Sequence, residues 1–107
     1  MMLELNNLNF QSEIENHDTI VLFYANWCGH CEKMMPEYIE FSEGDYGDIR
    51  IALIDCGLNE NRDICQANQI KVFPTMKFFD HNDDVIEFLP EKRTVESMKK
   101  KLKEILE

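Results

Sequence analysis

Two cysteines separated by two residues, Cys28-Gly29-His30-Cys31, follow Trp27 in the stretch YANWCGHCEKMMPEY, which runs from Tyr24 to Tyr38. The spacing suits three things: a dithiol–disulfide couple, half of a tetrahedral zinc site, or two core cysteines that lie close by accident. A cysteine that ends a strand and opens a helix has its sulfur beside unsatisfied backbone N–H groups and the positive end of the helix dipole. Such a setting favours thiolate over thiol, so Cys28 is expected to have a lowered pKa. His30, in the same turn, stabilises that thiolate further when protonated or donating; taken alone it also reads as a solvated surface residue. The Gly29-His30 pair between the cysteines thereby stabilises the reduced form and makes the disulfide the better oxidant. Cys31, one turn further in, is less exposed and suits the resolving role.

The chain holds two more cysteines, Cys56 and Cys65. All four give a C-x2-C…C-x8-C pattern, but its second spacing is loose for zinc and the pairs fall in different elements, so no metal is expected. Met34 and Met35 read as core gap-fillers. Asp80, Asn82, Asp84 and Glu91 match the spacing of an EF-hand calcium loop. Val85 stands where that loop needs glycine, and strands are expected on its flanks, so the segment reads as a solvated hairpin turn.

The elements that must position Cys28 and Cys31 follow from periodicity. Met2 to Leu5 is an expected first strand, and Leu8, Phe10 and Ile14 lie near helical spacing in a segment running to Asn16. Thr19 to Ala25 (TIVLFYA) is β-branched and aromatic without polar interruption, the mark of a strand covered on both faces. It leads straight into Trp27-Cys28. From Gly29, Met34, Met35, Tyr38, Ile39 and Phe41 form a helical stripe interrupted by Pro36 and ended by residues 44–47. Ile49 to Asp55 is a second buried strand, followed by a helix around Glu60 to Asn68. This β-α-β-α order favours a parallel pair with a crossover helix. Thr75 to Phe79 and Val85 to Leu89, joined by the Asp80–Asp84 turn, are expected to form a hairpin. Thr94 to Leu106 closes the chain as an amphipathic helix with Val95, Met98, Leu102, Ile105 and Leu106 on one face. Its lysines lie toward the C-terminal end of the dipole.

The 107 residues bound this to a single domain spanning 1–107. Hydrophobic residues make up 44% and charged residues 30%, and no apolar run approaches the ~20 residues of a membrane helix. The net charge of −10 repels phosphate backbones and anionic lipid surfaces, so neither nucleic acid nor membrane is an expected partner. MMLELNNLNF lacks the features of a secretory signal, and LKEILE lacks a retention tetrapeptide. The expectation is a cytoplasmic or virion protein if the chain is complete, and an ER-lumenal one if it is a fragment.

FYANWCGHCEKMMPEY, together with VFPT at residues 72–75, resembles the catalytic domain of protein disulfide isomerases, which has the thioredoxin fold. The resemblance covers almost the whole chain and implies an α/β domain with a central mixed sheet and helices on both faces. It implies a cis Phe73-Pro74 bond facing Cys28, with backbone at Phe73 pairing an extended substrate. Trp27, Phe73, Pro74, Thr75 and, less centrally, Tyr24 would then line the substrate surface. For Phe73 and Tyr24, simple core packing is an equal alternative.

It also implies that Arg93 swings toward the second cysteine, unless it is only an exposed cation at the helix entry. Cys56 and Cys65 have family counterparts that form a structural disulfide; free thiols or a second redox couple are the alternatives. The sequence departs from the family at Leu22, where a buried acid is usual, at Leu53, where a lysine is frequent, and at Asn26, where proline is common. The implied activity is formation, reduction or isomerisation of protein disulfides, with no cofactor and with a separate thiol or redox enzyme exchanging electrons. A thioredoxin-like cytosolic reductase and a client-binding module with little turnover remain the rival readings.

Overall fold

In the computed structural model, which describes residues 2–82 and 84–107, five strands form one mixed sheet in the order β1-β3-β2-β4-β5. β1 (Leu3–Leu5) pairs parallel with β3 (Arg50–Asp55), and β3 pairs parallel with β2 (Thr19–Tyr24). β4 (Thr75–Phe79) runs antiparallel to β2, and β5 (Val85–Glu87) antiparallel to β4. β2 therefore has a neighbour on each edge and is buried on both faces, as its unbroken apolar run requires.

Helices cover both faces. α2 (Gly29–Ser42) and α4 (Val95–Leu106) pack on one, where Met34, Tyr38, Phe41, Met98 and Leu102 meet Ile20, Leu22 and Leu53. α1 (Phe10–Asn16) and α3 (Arg62–Ala67) cover the other, where Phe10, Phe23 and Phe79 pack with ring centroids 5.7 to 6.2 Å apart. Each such aromatic pair contributes about 0.5–1.5 kcal/mol beyond its buried area. The Tyr38 hydroxyl is fully buried and donates to the Ala52 carbonyl at 2.7 Å, pinning α2 to β3. The Thr94 side chain caps α4, and the Val95 N–H donates to Glu37 at 3.0 Å, joining α4 to α2.

The structure differs from the expected elements at their ends. Leu8 is 87% exposed and precedes α1, because the Asn6 and Asn9 side chains hold residues 6–9 in a turn. Ile39 and Leu106 lie at the edges of their stripes and are exposed. β5 ends at Glu87, although the Phe88 N–H still donates to the Met76 carbonyl. Phe88 is then fully buried against Phe41, while Leu89 is exposed. Pro36 lies inside α2 on its exposed side, where its missing N–H leaves the carbonyl of Glu32, also an exposed residue, without its helical partner.

Asp83, within the expected 80–84 turn, lies outside the described residues. On either side of it, the Asp80 N–H donates to the Asp84 carbonyl and the Asp80 carboxylate accepts from the Asn82 N–H, so the calcium-like spacing serves a hairpin.

The hairpin is tied to the start of β2 by His81, whose backbone N–H and ring Nδ1 both meet the Asp18 carboxylate. That hydrogen bond, then the Asp18 charge, raises the His81 pKa above its ordinary 6.5. Burial alone would raise Asp18, but its hydrogen bonds from His81 hold it below its ordinary 3.8. The His81 contribution is complete below its unfolded pKa and is lost as pH rises through the higher folded value. The Asp18 contribution is present above 3.8 and is lost in acid. The stability difference between wild type and His81→Ala should therefore peak near about pH 5 and shrink by about pH 8. Urea unfolding across that range measures it, and a pH-independent difference would show that the ion pair contributes nothing.

Candidate active site

β2 ends at Tyr24, a tight turn through Ala25 to Trp27 follows, and α2 begins at Gly29 with Cys28 as its N-cap. The Cys28 sulfur itself is the capping atom, accepting the Cys31 backbone N–H at 3.3 Å. Cys28 retains 9% of its surface at the mouth of the site, whereas Cys31 is 1% exposed behind it. Both are thiols here. The Cys31 thiol and then, against an opposing effect of burial, the backbone N–H groups of Cys31 and His30 lower the Cys28 pKa, with the Arg93 charge assisting. Burial, reinforced by the hydrogen bond to Cys28, pushes Cys31 up to about 11, and Arg93 again acts to lower it. The two sulfurs are thus split into an accessible thiolate former and a buried thiol.

The Phe73-Pro74 bond is cis, and the Cys28 thiol donates to the Phe73 carbonyl at 3.8 Å. Phe73 packs against the Ala25–Cys28–Cys31 cluster and meets the Trp27 ring edge-on at 5.7 Å. Trp27 itself is 70% exposed, so the Trp27–Phe73 pair forms an apolar rim beside the Cys28 sulfur. Thr75 opens β4 opposite Phe23, and its hydroxyl donates to the Val72 carbonyl at 2.7 Å. His30 is exposed on the first turn of α2, where its backbone rather than its ring reaches Cys28. A Cβ on Gly29 would meet nothing within 4 Å, so the fold does not require glycine there.

Tyr24 turns inward, packing against both the cysteine cluster and the main core, and its hydroxyl donates to Glu4 on β1 at 3.3 Å. Burial, with the Asp55 and Glu4 charges, raises its pKa to about 12. The two leucines that depart from the resembled pattern are direct partners across β2 and β3, Leu22 opposite Leu53, and both are buried. The sheet beneath the cysteines is therefore apolar at that row. Cys56 and Cys65 are bonded to each other with Cα atoms 6.0 Å apart, so neither is available to complete a metal site with the first pair.

Sequence reasoning named Asn26 as a departure but missed its pairing with Asp55. Asp55 is 7% exposed, and its carboxylate accepts from the Asn26 N–H at 3.1 Å, the Asn26 side-chain amide at 3.0 Å and the Gly57 N–H at 2.8 Å. The Cys56 N–H also donates to the Tyr24 carbonyl at 2.7 Å. These bonds clamp the turn before Trp27 to the end of β3. Gly57 leaves room for them, since a Cβ there would approach Asn26 Nδ2 to 2.8 Å and Trp27 Nε1 to 3.3 Å. The signal in the sequence was an acid at a strand end and an asparagine in place of an imino acid, but nothing local says that they pair.

A family model described as Thioredoxin matches residues 1–104. The chain belongs to the thioredoxin family. Among curated relatives, a protein disulfide-isomerase of Medicago sativa is 39% identical over 82 residues, covering 73% of this chain and 16% of the relative. Protein disulfide-isomerase 1 of Dictyostelium discoideum is 40% identical over 83 residues, covering 73% of this chain and 23% of the relative. The chain thus spans less than a quarter of the length of either. Among solved structures, the J-Trx1 fragment of ERdj5 superposes with a TM-score of 0.87 at 22% identity, over 98% of this chain and 50% of that one. The mixed sheet with helices on both faces is therefore a thioredoxin fold.

If Asp55 clamps the turn as described, Asn26→Ala should cost about 1 kcal/mol and Asn26→Pro, which removes both donors, about 2 kcal/mol in urea unfolding. Equal stabilities for the three proteins would show that the clamp is idle.

Proposed function

We propose that this thioredoxin-family chain is a thiol–disulfide oxidoreductase of the protein disulfide isomerase type, acting through Cys28 and Cys31. The observation that carries the reading is the Cys28 sulfur, hydrogen-bonded at the start of α2 and set beside the cis Phe73-Pro74 bond, with Cys31 buried one turn behind. In the oxidising direction, a substrate thiolate attacks Cys28 in the Cys28–Cys31 disulfide and Cys31 leaves as a thiolate. A second substrate thiolate attacks the substrate sulfur of that mixed disulfide and expels Cys28. The substrate loses two electrons and two protons, which the pair gains. In reduction, the Cys28 thiolate attacks the substrate disulfide and expels one substrate thiolate, and Cys31 then attacks Cys28 Sγ, releasing the second substrate thiolate and leaving the Cys28–Cys31 disulfide. In isomerisation, another substrate thiolate attacks the mixed disulfide instead and expels Cys28 unchanged. No cofactor takes part, and a separate thiol or redox enzyme resets the pair.

Phe73, Pro74 and Thr75 offer the extended backbone against which a substrate strand pairs, and Trp27 shields its apolar side. The Arg93 charge eases loss of the Cys31 proton, the step that burial makes slow. The Cys56–Cys65 bond is read as structural, tying the end of β3 to α3, and it supports an oxidising compartment over a reducing cytosol. The apolar Leu22–Leu53 row favours slow release of substrate, which makes a client-holding role the second reading.

In oxidative refolding and insulin-reduction assays, Cys28→Ser should abolish turnover and Cys31→Ser should accumulate mixed disulfides. A Cys28–Cys31 potential near about −180 mV supports the isomerase type, and one near about −270 mV a reductase. Client binding that is unaffected by Cys28→Ser, with no turnover in wild type, would leave only the holding role.

Leu22→Glu alone would bury an unpaired charge, so the informative variant is Leu22→Glu with Leu53→Lys. It should speed Cys31-dependent resolution about tenfold, read by rapid-quench trapping of the mixed disulfide. An unchanged rate would show that the apolar row does not limit the reaction.

A further inference from the structure

Beside the cis Phe73-Pro74 bond, a groove of about 510 Å³ runs between the loop before β4 and the segment that leads from β5 into α4. Pro74 and Thr75 form its end nearest Cys28. Lys71, Lys77, Lys92 and Arg93 line it, four of only eleven basic residues in a chain that carries twenty-one acidic ones. Lys77 is already engaged, by Glu87 at 3.6 Å and by the Asn68 carbonyl at 2.7 Å. Among the described residues, Lys71, Lys92 and Arg93 make no ion pair, and Glu91 is the one acid in the groove left to oppose them. Val72 and Leu89, each 68% exposed, give the same groove apolar flanks.

Positive side chains gathered beside the Cys28 site on a strongly acidic protein oppose the overall negative charge where a substrate would approach. Charge arranged in this way selects partners and raises encounter rates more than it adds affinity per contact. We infer that this groove binds an extended acidic segment adjacent to the substrate's reacting cysteine, so that the chain prefers client peptides with aspartate or glutamate on one flank. Apolar side chains alternating with the acids would rest on Val72 and Leu89, since neighbouring side chains of an extended peptide point to opposite sides. The inference specifies the substrate class of the redox site proposed above, and the groove can be tested without redox chemistry.

The test uses short extended peptides with serine at the cysteine position and acidic, neutral or basic flanks, titrated against the intact protein by calorimetry. The acidic peptide should bind about tenfold tighter than the basic one, and raising salt well above about 0.1 M should erase the difference. Lys71→Glu with Lys92→Glu should reverse the preference while leaving the thermal midpoint and the reduction of hydroxyethyl disulfide unchanged. Equal affinities, or a preference for the basic peptide, would mean that the overall charge governs and would overturn the inference. So would displacement of the acidic peptide by an equal concentration of glutarate, which would mark a simple anion site. Selective binding retained in a protein that turns over no disulfide would uphold the groove and remove the redox reading instead.

Discussion

The hydrogen bond from the Cys31 backbone N–H to the Cys28 sulfur performs two tasks with one contact. As a helix cap it satisfies one of the orphan donors of the first turn of α2. As an electrostatic contact it stabilises negative charge on the sulfur that must carry it. An ordinary oxygen cap would do the first task as well or better, so a sulfur in this position trades capping strength for reactivity. The trade works because α2 is fourteen residues long and is held elsewhere, by Tyr38 on β3 and by Glu37 on the start of α4.

That contact depends on where β2 ends. β2 is paired on both edges and buried on both faces, so it delivers Tyr24 to one place with little freedom. The turn after it is short, and Asp55 takes three hydrogen bonds from it and from the start of the next loop. An asparagine at position 26 supplies two of these donors, which no proline could. The Cys56–Cys65 bond lies directly after Asp55 and holds the far side of the same clamp. Two thiols of opposite character then follow from hydrogen bonding and depth together: Cys28 accepts from the Cys31 thiol and backbone N–H groups at the rim, and Cys31 is excluded from water behind it.

The charge of the chain is spread unevenly around this frame. Acidic residues dominate the whole, yet cations gather beside Pro74, and Arg93 acts on both sulfurs from there. Arg93 favours thiolate at the sulfurs, while Lys71 and Lys92, which do not act on them, favour anions in the adjoining groove. Beneath the pair the opposite choice was made, with Leu22 facing Leu53 in an apolar row that needs no charge compensation.

The strands, the helix after Cys28 and the place of the CGHC turn between them were legible because each is encoded locally, in alternation, periodicity and the spacing of two cysteines. Element ends were less so: Leu8 looked helical by spacing, but two asparagine side chains captured the backbone first, and Leu89 looked like strand although the ladder stops before it. The amino-acid sequence by itself determined that a thiol pair would sit at the start of a helix behind a buried strand. Only the tertiary structure decided which groups surround it. Asp55 with Asn26, Glu4 with Tyr24 and Lys71 with Lys92 are separated by roughly twenty to thirty positions, and their meeting depends on strand order and register, which no local pattern specifies.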